Sequence, residues 1–285
     1  MSSDDVTVGI RFHDISKIDL LERCLNSVAG QTHAGVHVIL SCQGFDAANV
    51  ATVECLLAAT LKLSGFAYEI INVANPDKLD LRSKLLNTIV DHHYGSSRRF
   101  LAFIDYDDIW FSHAISTLID SFNYGPFALS YADIHCANLL YYNNSFYVKE
   151  LRDVYSISRK SKRDLLSENF LPLHSYMFNT SILDSSILHY DTSLEVLEDY
   201  DVLLRVILTN PVSGLHRKEL IGLYNFYSVV SGKVNTTPSI FEPPVVVVGG
   251  PWSKARTQII QKHSGYPIKE YFGEQWELDA LSNQG

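Results

Sequence analysis

Apolar residues fill Val6 to Phe12 almost without a break, then recur at Leu20, Leu21, Cys24, Leu25 and Val28. The first spacing predicts a buried strand and the second an amphipathic helix, after which Val36 to Leu40 reads as another buried strand. The alternation continues with a helical stretch around Leu56 to Leu63, a strand at Ala67 to Val73, a helix over about Ser83 to Asp91 and a strand at Phe100 to Ile104. Apolar strands in regular alternation with helices predict an α/β fold, a Rossmann-like, mostly parallel sheet flanked by helices.

The second half changes character. "DIHCANLLYYNNSFYVKEL" alternates around Asn143 and Asn144, which predicts a β-hairpin added to the sheet. In "YDTSLEVLEDYDVLLRVIL", Leu197, Val202, Leu204 and Val206 give a helical pattern with Glu198 and Asp199 near its amino end. Acids are favoured there by the helix dipole, and Asp201 with Arg205 has the spacing of an i,i+4 ion pair. The tail carries an apolar run, "PPVVVVGGPW", and a helix-like "WSKARTQIIQKH". We divide the chain into a first half (1–135), a second half of the same domain (136–227) and a C-terminal extension (228–285) that closes over the site or docks a partner.

Composition narrows the classes. The 285 residues are 46% hydrophobic and 19% charged, enough for a sizeable core. No apolar stretch reaches the roughly 18 residues of a membrane span, and the amino terminus lacks the pattern of a secretory signal, so a cytoplasmic protein is expected. Cys24, Cys42, Cys55 and Cys136 lie far apart and read as reduced, mostly buried thiols. A net charge of −9 argues against a nucleic-acid partner, and implies that an anionic ligand would bind with the help of a cation.

The chemistry concentrates in "FIDYDD", just past the predicted strand at Phe100 to Ile104, where open α/β sheets bind ligands. Asp105, Asp107 and Asp108 would raise one another's pKa, and a hard divalent cation among their oxygens would stabilise them. Asp108 is expected to cap a helix suggested by Ile109, Phe111, Ile115, Leu118 and Ile119. Spacing alone leaves Asp105 and Asp107 open between a cation site and an ordinary acidic turn. His174 in "LPLHS" reads first as a histidine bonded within the fold and second as a wall of an acceptor pocket, and His216 is read with the same caution. Trp110, Tyr141 and Tyr142 have rings that suit either a core or the face of a sugar.

Four segments in order resemble the A-type inverting glycosyltransferases of family 2. "VTVGIRFHD" stands where that family has its first strand and nucleotide loop. "RSKLLNT" is similar to its R-x-x-L-L-N-x-G, "FIDYDD" to its D-x-D-D, and "YDTSLEVLEDYDVLLR" to its F-D-x-x-L-x-x-L-E-D-W-D-x-x-L-R. The resemblance covers Val6 to Tyr227. It implies transfer of a sugar from a nucleotide-diphosphosugar donor to a hydroxyl of a glycan or lipid-linked glycan, with inversion, and a setting in bacterial surface polysaccharide synthesis, in the cytoplasm or peripheral to the inner membrane. Asp105 and Asp107 would hold the donor ribose and a Mg²⁺ or Mn²⁺ ion, Asp199 would be the general base, Glu198 would orient the acceptor or the base, and Arg82 would meet the diphosphate.

The chain also departs from the family. "LSCQGFD" puts Cys42 and Gln43 where an acidic pair is usual, leaving Gln43 to meet the base through its amide. "RFHD" replaces a P-x-Y-N type loop, making Arg11, His13 and Asp14 candidate nucleotide contacts. A non-catalytic glycosyltransferase-like domain or partner subunit is the main rival reading. Nucleotidyltransferase and dehydrogenase readings lack their glycine-rich loops after the first strand.

Overall fold

The computed structural model describes residues 5–142, 145–227 and 250–263. Eleven strands and seven α-helices order as β1 (Val6–Phe12), α1 (Ile18–Ala29), β2 (Val36–Gln43), α2 (Ala47–Leu61), β3 (Ala67–Val73), α3 (Arg82–Tyr94), β4 (Phe100–Phe103), β5 (Ile109–Trp110), α4 (Ala114–Asp120), β6 (Leu129–Tyr131), β7 (Asp133–Tyr142), β8 (Ser145–Arg152), β9 (Tyr176–Asn179), α5 (Ser185–Leu188), α6 (Glu198–Thr209), β10 (Val212–Ser213), β11 (Leu220–Tyr227) and α7 (Pro251–His263) among the described residues.

The main sheet has the strand order β10-β6-β9-β4-β1-β2-β3. Its β4-β1-β2-β3 block is parallel, with Val6 opposite both Val36 and Phe100, and β9 runs antiparallel to β4 and β6. The apolar runs that predict buried strands are buried on both sheet faces in β1, where only Arg11 keeps partial exposure. α1 buries Leu20, Leu21, Cys24, Leu25 and Val28, the positions that fixed its sequence pattern. α2 starts earlier than its apolar periodicity indicates, because Asp46 accepts a hydrogen bond from the Asn49 backbone at 2.8 Å and caps it. At Gly9 a Cβ would fall 2.7 Å from both Ile89 and Phe103, so the absence of a side chain lets α3 seat closely on β1.

The predicted hairpin is present as β7 and β8, but it does not extend the main sheet. It joins a second sheet of order β5-β11-β7-β8, in which β11 lies parallel to β7 and β5 antiparallel to β11. Its predicted turn at Asn143–Asn144 lies outside the described residues, as do the side chains of Tyr141 and Tyr142 and most of "PPVVVVGGPW". β7 runs without interruption through positions 135 and 136, and buried residues of both halves join one core. Cys24, Cys42 and Cys136 are buried free thiols and Cys55 an exposed one. Among the described residues no helix is long and apolar enough to cross a membrane.

Candidate active site

β1 and β4 are neighbours and end at the same edge, so the residues that follow them converge. From the end of β1, Arg11 Nε donates to Asp105 Oδ1 at 2.8 Å, and its Nη1 donates to Glu198 Oε1 at 2.6 Å. One guanidinium thus joins the aspartate turn to the first residue of α6. Burial alone would raise the Asp105 carboxyl, but the charge and hydrogen bonds of Arg11 outweigh it and hold it below the usual range.

Asp107 has no such neighbour. Among the described residues its carboxylate makes no ion pair, and burial followed by the charge of Asp105 pushes it up to about 7. Its backbone carbonyl, in contrast, is fixed from β11 by Asn225 Nδ2 and Tyr227 Oη, both at 2.8 Å. Asp108 does not cap a helix. The chain after it enters β5, α4 begins later with His113 at its N-cap, and Asp108 turns inward to accept from the Asn225 backbone at 2.8 Å. Its other oxygen lies 3.2 Å from Nδ1 of His174. Both residues are fully enclosed. Burial, then the neighbouring aspartates, raises the Asp108 carboxyl well above its usual range, while burial pushes His174 down to about 4.

α6 is aimed by the residue before it. Leu197 has φ 64° and ψ 21°, a left-handed conformation uncommon for a residue with a side chain, and the helix starts at Glu198. Asp199 Oδ1 accepts from the Tyr200 backbone at 2.8 Å, and burial with the nearby Glu198 pushes the Asp199 carboxyl up to about 7. The Asp201–Arg205 pair expected from sequence is present at 3.2 Å, yet it belongs to a larger cluster. From α7, Lys262 reaches Asp201 at 2.8 Å and Asp191 at 3.0 Å, and His263 reaches Asp201 at 2.9 Å. Those contacts, with Ala255 and Ile259 buried, seat α7 on α6.

Two cavities flank this centre. A cleft of about 370 Å³ is walled by Arg11, His13, Lys78, Arg82, Asp107 and Glu198, among others. A cavity of about 630 Å³ lies on the other side, with Tyr155, His174, Tyr200 and Arg256 in its walls. Asp105, Leu197, Asp199, Tyr224 and Trp252 line both.

Arg11, Gln43, Arg82, Asp105, Asp107, Glu198 and Asp199 all border the smaller cleft, with different freedom. Gln43 lines the cleft, but its Nε2 donates to the Leu79 carbonyl at 2.9 Å and its Oε1 accepts from the Leu81 backbone at 3.1 Å, so both ends of the amide hold the 79–81 loop. Arg82 is paired with Asp80 at 2.6 Å on the cleft wall. Asp14 is taken up in capping the turn after β1 through Ser16. His13 packs edge-on to Tyr106 at 5.4 Å. Trp110 is buried, and its indole donates to the His174 carbonyl at 2.7 Å. His216 pairs with Asp120 at 2.9 Å, away from both cavities.

Sequence reasoning did not single out Asn225, Tyr227 or Tyr224, and it placed Trp252 only on one face of the C-terminal helix with Ala255 and Ile259. The one available signal is the strand-like "LIGLYNFY" of β11, whose alternation says nothing of which strand it meets.

Among the described residues, the potential metal ligands that form a group of three within mutual reach are Asp133, His135 and Asp153, not the aspartate turn. They sit by the start of β7, opposite Leu220, whereas Asn225 and Tyr227 touch the turn from the other end of β11.

No family profile and no curated protein matches the sequence. Solved structures do match in shape. S. aureus TarS, as its 1–349 fragment, superposes with a TM-score of 0.56 at 14% identity, over 78% of this chain and 60% of that one. The chain has the A-type glycosyltransferase fold. The same TarS fragment holding UDP-GlcNAc gives a TM-score of 0.55 at 14% identity, over 78% of this chain and 58% of that one. The mannosyltransferase PcManGT from Pyrobaculum calidifontis, in complex with GDP-Man and Mn²⁺, gives 0.50 at 13% identity, again over 78% of this chain and 59% of that one. The chain therefore spans about 60% of the length of the TarS fragment, and its aspartate turn lies past the carboxyl end of β4, the edge at which open α/β sheets bind ligands.

Proposed function

We propose that the chain is a metal-dependent, inverting glycosyltransferase that moves a sugar from a nucleotide-diphosphosugar to a hydroxyl of a glycan. The observation that carries this reading is the position of Asp199, a residue that lines both cavities. A base at such a junction can take a proton from a hydroxyl in one cavity while that hydroxyl attacks a carbon presented from the other, on the face opposite the leaving group.

The smaller cleft suits the donor. Lys78, Arg82 and Arg11 place positive charge along it, although Arg82 is already paired with Asp80 and Arg11 with two acids. Asp105 and Asp107 fit a divalent cation. Asp107 is a half-buried carboxylate that makes no ion pair among the described residues, and two carboxylates plus substrate phosphates are a common ligand set for Mg²⁺ or Mn²⁺. Such an ion, when bound, would neutralise charge gathering on the departing diphosphate. The TarS and PcManGT structures, with UDP-GlcNAc and with GDP-Man and Mn²⁺ respectively, favour a nucleotide-sugar as the donor class.

Glu198 is more than nine-tenths buried and held by Arg11 in the donor cleft, so its part is to fix Arg11 and the start of α6 rather than to touch the acceptor. A role in the cytoplasm, in building bacterial surface polysaccharide, follows from the sequence resemblance and is proposed on that ground.

The deciding experiment titrates the protein with UDP, GDP, CDP and dTDP, each with Mn²⁺ and with EDTA. Metal-dependent stabilisation by one of them supports the reading and names the donor class. No stabilisation by any would shift the chain to a non-catalytic domain of the same fold.

A further inference from the structure

Asp133, His135 and Asp153 form a cluster to which the transfer reading gives no task. Asp133 and His135 stand two apart at the start of β7 and so share one face of the strand. Cys136 pairs with Arg152 across β7 and β8, which brings the next residue, Asp153, alongside His135. One ligand atom from each residue lies within 4.8 Å of the other two. Bonds of about 2.0–2.2 Å to a shared ion would set such atoms roughly 3.4 Å apart in a tetrahedron, so the set closes by drawing in at most about 1.4 Å.

Asp133 is 5% exposed, and the protein satisfies one of its two oxygens. Oδ1 accepts from the Ile134 backbone at 3.0 Å. Oδ2 faces Nε2 of His135 at 3.7 Å, within ion-pair reach but too long for a hydrogen bond, and it makes no hydrogen bond among the described residues. A carboxylate oxygen so enclosed calls for an ion or an ordered water. Asp153 sharpens the need, because it adds a second negative charge where neither carboxylate has a lysine or arginine paired to it among the described residues.

We propose that these three side chains bind a divalent transition-metal ion of the zinc type, at a site separate from the aspartate turn, and that the ion ties the end of β8 to the start of β7. The inference stands on the cluster and does not depend on the transfer reading.

The donor set decides the ion. One imidazole and two carboxylates suit zinc, which takes three protein ligands and a water in its fourth position. Calcium and magnesium prefer oxygen throughout. A dication among two carboxylates also leaves the cluster neutral. His135 keeps 29% of its side chain exposed and Asp153 is exposed, so the cluster opens to solvent and an ion has a way in.

Strand pairing sets Asp133 opposite Leu220 and Ala137 opposite Asn225, the residue that holds Asp107 and Asp108. Asp133 is thus four residues of β7, about 13 Å, from that level of the sheet. What the ion would steady is the run that leaves β8. Asp153 Oδ1 accepts from the Ser156 backbone at 2.8 Å, Ile157 is buried, and Tyr155 walls the larger cavity.

Calorimetric titration of the intact, EDTA-treated chain with Zn²⁺, Ca²⁺ and Mg²⁺ tests this, in the wild type and in Asp107→Ala, where the aspartate turn has lost a carboxylate. Asp107→Ala is expected to keep one equivalent of Zn²⁺, with Ca²⁺ and Mg²⁺ about 100-fold or more weaker. His135→Gln and Asp153→Asn, each made in that background, should weaken Zn²⁺ by at least the roughly 10- to 100-fold that loss of an outer partner costs at a metal site. Asparagine retains an oxygen for the Ser156 backbone, and position 153 is exposed, so that variant tests the site even where His135→Gln fails to fold. X-ray absorption at the zinc edge should show the scattering pattern of one imidazole.

Zn²⁺ binding that disappears in Asp107→Ala would overturn the inference, because the ion would then belong to the turn. So would absence of Zn²⁺ binding altogether, which leaves the cluster to ordered water, or Ca²⁺ binding as tight as Zn²⁺, which leaves the imidazole without a part. Indifference to Asp153→Asn has the same consequence. Titrating nucleoside diphosphates with Mn²⁺ into wild-type and Asp153→Asn samples separates this site from the donor reading. Zn²⁺ binding that depends on Asp153, without nucleotide binding, sinks the donor assignment and keeps the metal site. Nucleotide binding without Zn²⁺ binding does the reverse.

Discussion

Arg11 and Glu198 meet at 2.6 Å across 187 residues of sequence, one at the end of the first strand and the other at the start of the helix that carries Asp199. The guanidinium also holds Asp105, so the two acidic motifs read from sequence are joined through a cation in a third segment. Removing one partner of a buried ion pair leaves the other uncompensated. Arg11→Ala should destabilise the fold by about 3 kcal/mol and abolish transfer. Arg11→Lys, which keeps charge but not the two-sided fork, should restore stability better than activity. Urea unfolding beside a turnover assay checks both, and an alanine variant of unchanged stability would remove the bridge from the account.

Asp107 is the carboxylate best placed to answer to a cation. With a saturating nucleoside diphosphate and Mn²⁺, the wild-type chain should gain about 2.7 kcal/mol of stability when ligand stands at 100 times its dissociation constant. Asp107→Ala should lose the part of this gain that EDTA removes. A variant that keeps a metal-dependent shift in melting temperature would place the ion elsewhere.

Asp199 sets a pH dependence whose direction can be worked out. Burial and the proximity of Glu198 push its carboxyl up to about 7. Below that pH the group is protonated and cannot accept a proton from an acceptor hydroxyl, and above it the base is free. Transfer should therefore rise about tenfold per unit as pH approaches about 7 from below, then level off. Asp199→Asn should lower turnover by about 100- to 10,000-fold while donor affinity changes little. A rate that stays flat down to pH 5 would exclude Asp199 as the base.

Gly222 brings β11 against β5. A Cβ at that position would sit 2.5 Å from the backbone oxygen of Ile109, which has no freedom to move aside. Gly222→Ala should cost about 1–3 kcal/mol and shift the strand that clamps Asp107 and Asp108 through Asn225 and Tyr227. Loss of nucleotide affinity in a protein that still folds would mark that strand as the support of the turn. Unaltered affinity would show that the turn holds its shape alone.

What could be read from the chain follows the range of each signal. The continuous apolar run of β1 located that strand at its ends, because a strand buried on both faces leaves its mark within a few residues, and β3 was placed at its ends although it is the partly exposed edge strand of the sheet. The position of Asp105 beyond β4 followed from the same logic. Asp108 was misassigned as a cap because its hydrogen-bond partner lies 117 residues away, and acids before an apolar stretch look alike whether they cap a helix or turn inward. The separate sheet around β7 was equally hidden, since alternation gives a strand its faces and not its neighbours. Arg11 was singled out, but toward a nucleotide; that it spans Asp105 and Glu198 depends on β1 and α6 lying at one sheet edge. The five cavity-sharing residues come from four separate stretches, and no local pattern links them.

The seat of α7 on Asp201 makes two distant parts of the chain thermodynamically reciprocal. Asp201 is wholly enclosed and balanced by Lys262 and His263 from α7 and by Arg205 from its own helix, so lifting α7 would strand part of that charge. Whatever steadies α6 must then steady α7 by the same free energy, and the converse holds. Amide hydrogen exchange in residues 251–263 should slow when the smaller cleft is filled, turning the C-terminal helix into a reporter of what happens at the start of α6.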